Sequence, residues 1–397
     1  MSNSILTPTA VTREVLRILH QKCNFIGSIS RQYDDSFAQS GAKIGDSLKI
    51  RLPNKYTVRT GRTIDVQDTS ESSVTLQVAT QKGVDMAFTS NDLTLSLDDF
   101  SKRILEPAVS VLAANIEADA LSMYKDVYQI VDDDGAAFDF DTVLQGRQKL
   151  NEALAPMDEN RTALLTSGST RKVVDALKGL FQDSSAIAKQ YRTGMMGKTA
   201  GFDFYENTLI PVHTTGTAAK TTGYTVNGAT ESGSTITIQT GTTTFLKGDV
   251  VTFAGCNRVH PESKADTGVL QQFVVTADSG ASATSLSISP AIVVTGANQN
   301  VSDYPDNAGA VVKVGAGASE LLQSNLAYHR DAFAFATADL VMPKGVDFAA
   351  REVFDGISMR VIRAYDINND NFPCRIDVLY GYKTVRPELA ARMHADG

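Results

Sequence analysis

The stretch Ser96–Val131 constrains this chain more than any other. Leu105, Val109, Leu112, Ile116, Ala120, Met123 and Val127 recur at steps of four and three, the period of one buried helical stripe. Ser96, Asp98 and Asp99 suit a helix start, and Pro107 fits the first turn of a fresh helix. A helix from Pro107 to Val131 would run roughly 37 Å. Ala108, Ala113, Ala114, Ala118 and Ala120 keep it slim, so other elements can approach closely. Taken by itself, such a rod predicts the core helix of an α/β domain.

The flanking segments change character. Residues 41–90 alternate Val, Thr, Leu and Ile with polar residues in GDSLKIRLPNKYTVRTGR and SSVTLQVATQKGVDMAFTS, the strand period. The polar run TGRTIDVQDTSESS between them predicts a long hairpin with a wide, solvated tip. A two-stranded arm is marginal alone in water, so it implies a partner surface. Upstream, Thr7-Pro8 can open a helix with Val11, Val15, Ile18, Leu19 and Ile26 on one face. That face is narrow and its opposite carries both charge signs, which argues for protein contacts rather than a membrane.

Downstream, Asp132–Gly135 reads as turn chemistry and lacks the glycine and closing glutamate of an EF-hand. A helix over Thr142–Ala153, a strand over Thr162–Leu165 and a capped helix from Ser169 follow, an α+β layer. From His213 to Ala318 the composition shifts to Thr, Gly, Ser, Val and Ala with sparse charge. STITIQ, GDVVTFAG, LQQFVVTA and TSLSIS alternate between turn signals such as Asn227-Gly228, which predicts a small β-barrel or sandwich. Mixed patterns return past Glu320, so the β-module interrupts one host domain.

Composition excludes several classes. The 397 residues carry Lys+Arg 37 against Asp+Glu 45, net −8, so the chain as a whole has no basic footprint for gripping nucleic acid. Cys23, Cys256 and Cys374 lie far apart without a CxxC pair, as expected in a reducing cytosol. No apolar run reaches membrane-spanning length, and the N-terminus lacks a signal-peptide layout. The string GMMGKT (Gly194–Thr199) imitates a P-loop, but the position needing its first glycine holds Arg192. His20, His213, His260, His329 and His394 are scattered, with neither HExxH nor GxSxG. Only Tyr328-His329-Arg330-Asp331 is dense enough for acid–base work, and a hydrogen-bond network is the simpler reading.

Four runs carry a family resemblance: SKRILEPAVSVLAANIEADAL at the long helix, AGFDFYENTLIPV from Ala200, LKGDVVTFAG from Leu246 and RIDVLYGYKTVRPE from Arg375. In this order, around an inserted β-module, they resemble the major coat proteins of short-tailed bacteriophages of the Salmonella podovirus type. The resemblance implies an α+β chain with the Hong Kong phage-type capsid fold and an inserted all-β domain. It implies an N-terminal arm (1–40), an extended β-hairpin loop (41–90) and a peripheral domain with spine helix (91–138). The first part of an axial domain (139–212), the insert (213–318) and a return segment for axial and peripheral domains (319–397) follow.

The implied function is a structural subunit, not an enzyme, with no catalytic residue, cofactor or metal. Hexamers and pentamers would form an icosahedral shell, assembled in the bacterial host cytoplasm around a scaffolding protein and then matured. Its partners would be that scaffolding protein, a portal protein and packaged double-stranded DNA contacted non-specifically, with no membrane. Glu14, Asp34 and Asp35 are the candidate scaffold contacts, since scaffolding proteins of such phages are often basic where they meet the coat. Lys55, Arg59, Arg62, Asp65 and Asp68 are the inter-subunit loop candidates. Some phages with this fold crosslink a loop lysine, but nothing around Lys55 marks such a site. An encapsulin-like cellular compartment is the alternative reading, and a glycan-binding adhesin would rest on the β-module alone.

Overall fold

The computed structural model describes residues 23–31, 46–64, 66–67, 71–89, 106–131, 138–177, 198–315, 317–343, 345–346, 348–354, 357–367 and 371–396. The chain divides into two compact units, one of 1–50, 73–121 and 333–385, the other of 51–72, 122–332 and 386–397.

The first unit is built on the helix Glu106–Leu121. Pro107 lies in its first turn, where its missing N–H costs nothing. Val109, Leu112, Ala113, Ile116 and Ala120 are buried, as the spacing requires. The helix is shorter than the periodicity suggests: 16 residues, about 24 Å. Beyond Leu121 the chain tightens into a 3-10 turn, Ser122–Asp126, and then a strand, Ile130–Val131. Met123 and Val127 stay buried, so the apolar rhythm outlives the helix geometry.

Beside the helix stands a five-stranded sheet whose centre is the 14-residue strand Asn371–Thr384. Phe333–Ala338 pairs with its C-terminal half and Ile357–Arg363 with its middle, and Phe348–Phe354 hairpins onto the latter. Thr80–Thr89 runs antiparallel to it over ten residue pairs, Asn371↔Thr89 to Tyr380↔Thr80. The strand expected through Ser90 is therefore two. Ser73–Val78 pairs with Asp46–Arg51 as the base of the hairpin, and Thr80–Thr89 belongs to the sheet. The short helix Asn24–Ser28 lies in this unit, with the Phe25 ring edge-on to Phe333.

The second unit holds a seven-stranded sheet ordered Ile130–Val131, Ala390–Asp396, Leu321–His329, Arg161–Leu165, Phe202–Glu206, Lys198–Thr199, with Val212–Thr214 also on Leu321–His329. The helix Phe140–Glu152 starts on a capping box in which the Asp139 side chain accepts from Thr142 N–H, worth about 1 kcal/mol. Ser167–Leu177 is the second helix, with Val173 on its buried side.

The β-module is a closed barrel ordered Gly233–Gln239, Ser285–Ile292, Phe273–Val275, Val250–Phe253, Ala310–Val314, Thr221–Val226. Its interior packs Tyr224, Ile236, Phe245, Phe253, Phe273 and Val311, and closure leaves no free sheet edge. The chain leaves the host sheet along Val212–Thr214 and re-enters along Leu321–His329. These strands pair directly, Leu321↔Thr214 to Gln323↔Val212, so the barrel is inserted without disturbing the sheet order.

Candidate assembly surfaces and a buried polar cluster

Leu52–Ser72 links the two hairpin strands, and its described residues form no strand. Gln67 holds the two limbs together, its Oε1 accepting Thr57 N–H at 2.8 Å and its Nε2 donating to Thr57 O at 2.6 Å. Arg59 folds over the tip, donating to the carbonyls of Gly61 and Thr63, and Arg51 meets Glu71 at 3.0 Å. Bonded within itself, the loop turns Tyr56, Val58, Ile64 and Val66 outward, Val58 being 94% exposed. Four large apolar side chains exposed among the described residues of one loop suit a surface that another protein covers. Lys55, Arg59 and Arg62 are exposed on the same loop. Asp65 and Asp68, and the scaffold candidates Glu14, Asp34 and Asp35, lie outside the described residues, as does Asp132–Gly135.

A second protruding element is the hairpin Asn257–Val259 with Asp266–Leu270, whose second strand is exposed throughout. Arg258 ties its base to Glu152 of the host helix at 2.8 Å, and that cation and the Gln148 amide outweigh partial burial to hold the Glu152 carboxyl below its usual range.

The cluster that sequence reading missed lies where barrel and host sheet meet. Asp249, just before the strand Val250–Phe253, accepts from His213 Nε2 at 3.0 Å and from the N–H groups of Gly216 and Leu246, each at 3.0 Å. His213 Nδ1 reaches the Tyr124 hydroxyl at 3.1 Å. Burial raises the Asp249 carboxyl, but these donors and nearby Lys313 outweigh it and leave it lowered. Lys313 donates to the carbonyls of Gly216 and Gly317, and burial lowers its ammonium. The cluster shares the geometry of a relay but is closed to solvent on all three side chains, so it works as a clamp. The only hint in the sequence was charge in a charge-poor module, Asp249 and Lys313 among them.

His329 is equally structural. Its Nδ1 accepts Asp331 N–H at 3.3 Å, so Nε2 carries the proton given to Asp158 at 3.1 Å. With both nitrogens engaged, no free base remains. Of the GMMGKT string, Lys198 and Thr199 are described, and Lys198 is paired with Glu159 and Asp203. Among the described residues no group of three His, Cys, Asp or Glu could hold a metal ion, and no helix is long and apolar enough to cross a membrane.

A family model described as P22 coat protein, gene protein 5, matches residues 3–393. No curated protein matches the sequence. Among solved structures, a Mycobacterium phage Che8 chain is 13% identical, covering 92% of this chain and 88% of its own at a TM-score of 0.46. A capsid chain of Cyanophage P-SCSP1u is 8% identical, covering 91% and 86% at 0.43. The CUS-3 coat protein I-domain is 29% identical over 24% of this chain and 98% of its own, at 0.20.

Proposed function

Because this chain belongs to the P22 coat protein family, the coat proteins of phage capsid shells, we propose that it assembles around a scaffolding protein into a precursor shell that matures when double-stranded DNA is packaged. Hexamers and pentamers would tile the shell, and a portal protein would occupy one vertex. The observation that carries the reading is that the described residues of the loop 52–72, bonded through Gln67 and Arg59, present Tyr56, Val58, Ile64 and Val66 to solvent. At roughly 25 cal/mol per Å² of apolar area buried, covering four such side chains stabilises each contact by several kcal/mol at most, and the repetition over a closed lattice multiplies it. Lys55, Arg59 and Arg62 would set its register on the neighbour. Net −8 suits a shell that must release packaged DNA.

Deleting Arg62–Ser72 tests the reading. Sedimentation velocity should find a folded monomer that no longer assembles with scaffolding protein. A deletion that unfolds the monomer would make the loop part of the core, and unimpaired assembly would remove it from the interface.

A further inference from the structure

We propose that Asn227 is a self-modification site, its carboxamide closing onto the backbone nitrogen of Gly228 and ending as aspartate or isoaspartate, with Asn307 holding the rate down. Asn227-Gly228 is the one Asn-Gly pair in the chain. It lies between the barrel strands Thr221–Val226 and Gly233–Gln239, with Asn227 exposed. A glycine after asparagine has no Cβ to block the approach of its nitrogen to the side chain before it.

The fold imposes this susceptible pair. Gly228 has φ +147°, a region that residues with a side chain avoid. A Cβ there would lie 2.5 Å from Glu231 Oε1, and Glu231 is itself fixed, its Oε2 accepting Thr237 N–H at 2.7 Å. The Asn227 backbone is anchored by its N–H, which donates to Thr237 O at 2.9 Å. Its carboxamide has no hydrogen-bond partner among the described residues, so the reacting carbon can turn toward Gly228.

Asn307 supplies the brake. A peptide nitrogen shares its lone pair with the carbonyl and attacks only once its proton has left. The Gly228 N–H donates to Asn307 Oδ1 at 3.1 Å, which retains that proton and aims the nitrogen away from Asn227. Asn307 is held in turn, since Ala308 N–H donates to Val226 O and Gly309 N–H to Asp306 O, at 2.9 and 2.8 Å. When the latch opens, the bond from Gly228 N to Asn227 Cγ forms and the Cγ–Nδ2 bond breaks. The Gly228 amide proton leaves with the side-chain nitrogen as ammonia. Water then opens the cyclic imide at either carbonyl, giving aspartate or, with one extra carbon in the main chain, isoaspartate. Both products add a negative charge to the loop that already holds Glu231.

The test incubates the full-length chain at mildly alkaline pH in heavy-oxygen water. Peptide mapping by mass spectrometry follows label at position 227, and enzymatic methylation counts isoaspartate. The parent should convert slowly, and Asn307→Ala about two- to tenfold faster, as loss of one ordinary hydrogen bond allows. Asn307→Asp keeps an acceptor and should stay near the parent rate. Asn227→Gln, whose longer side chain cannot close the same ring, should take up no label there. Amide exchange should quicken at Gly228 in Asn307→Ala while the Asn227 N–H stays protected. A parent that leaves Asn227 unchanged while the free peptide Thr225–Thr230 converts has no such site. Equal rates in parent and Asn307→Ala would refute the brake, and should Asn307→Ala not fold, the parent must still convert, more slowly than the peptide.

Discussion

The backbone N–H of Phe25 donates to Oε1 of Glu117 at 2.8 Å, joining the short N-terminal helix to the long helix across 92 positions of sequence. Glu117 is fully buried, and beside it burial and the Glu117 charge push the Cys23 thiol far up. A charged acceptor for a buried amide is among the stronger single contacts available. Glu117→Leu should cost about 1–3 kcal/mol, read as a lower urea midpoint. Hydrogen exchange at Phe25–Ser28 should accelerate more than elsewhere in the chain.

Gly83 sits opposite Asp377 in the pairing of Thr80–Thr89 with Asn371–Thr384. A Cβ there would lie 2.5 Å from Asp377 Oδ1 and 2.6 Å from the Ile376 carbonyl. Asp377 cannot yield freely, since Arg360 and Arg375 hold its carboxylate at 2.7 and 2.8 Å. Gly83→Ala should destabilise the chain by about 1–3 kcal/mol, measured by denaturant unfolding. Gly27→Ala, which meets nothing within 4 Å, is the matched control.

Acid should loosen the clamp under the barrel. The Asp249 carboxyl is lowered in the folded chain, so its contribution is complete above the ordinary carboxylate range near 4 and is lost as pH falls through the lowered folded value. The stability gap between parent and Asp249→Asn, followed by Tm against pH, should be constant near neutrality and close below about pH 4. A gap that widens on acidification would reverse the sign assigned to this group.

The barrel carries its own closed core, so His213–Ala318 expressed alone should fold. Its NMR spectrum should show dispersed amide signals, with a lower Tm than the same strands in the full chain because Tyr124 and Glu152 are missing from the segment. A collapsed spectrum would make the host sheet a requirement for folding.

How far the sequence could be read differs by element. Val109, Leu112, Ile116 and Ala120 marked the helix face correctly. The stop at Leu121 was hidden because Met123, Val127 and Ile130 prolong the apolar rhythm through a 3-10 turn and a strand. Periodicity reports which residues are buried, not which backbone carries them. The alternation around Tyr224, Val226, Ile236 and Ile238 announced the β-module, all four being buried. Its closure, in which Thr221–Val226 pairs with Ala310–Val314, depends on partners far apart in the chain. The clamp was illegible for the same reason, since His213 meets residues 36 and 89 positions away. The split at Ala79 was missed because both halves alternate alike and only their partners differ.

Scaffold docking should depend on acids of the N-terminal arm. Glu14→Ala should leave monomer Tm unchanged, as an exposed pair contributes only about 0–1 kcal/mol, yet slow scaffold-directed assembly through loss over many subunits. Light scattering should show the deficit largest at low salt and shrinking as screening weakens the parent too. Equal rates across the salt series would leave Glu14 as a solubilising charge and move the contact to Asp34 and Asp35.

Whether this chain builds a shell is decided by electron microscopy of the expressed chain with and without a basic scaffolding protein. Closed, uniform icosahedral shells are expected when scaffold is present, with Tyr56, Val58, Ile64 and Val66 covered by a neighbouring subunit in the reconstruction. Monomers or small fixed oligomers under every assembly condition, or shells in which Tyr56, Val58, Ile64 and Val66 remain open to solvent, would contradict that expectation.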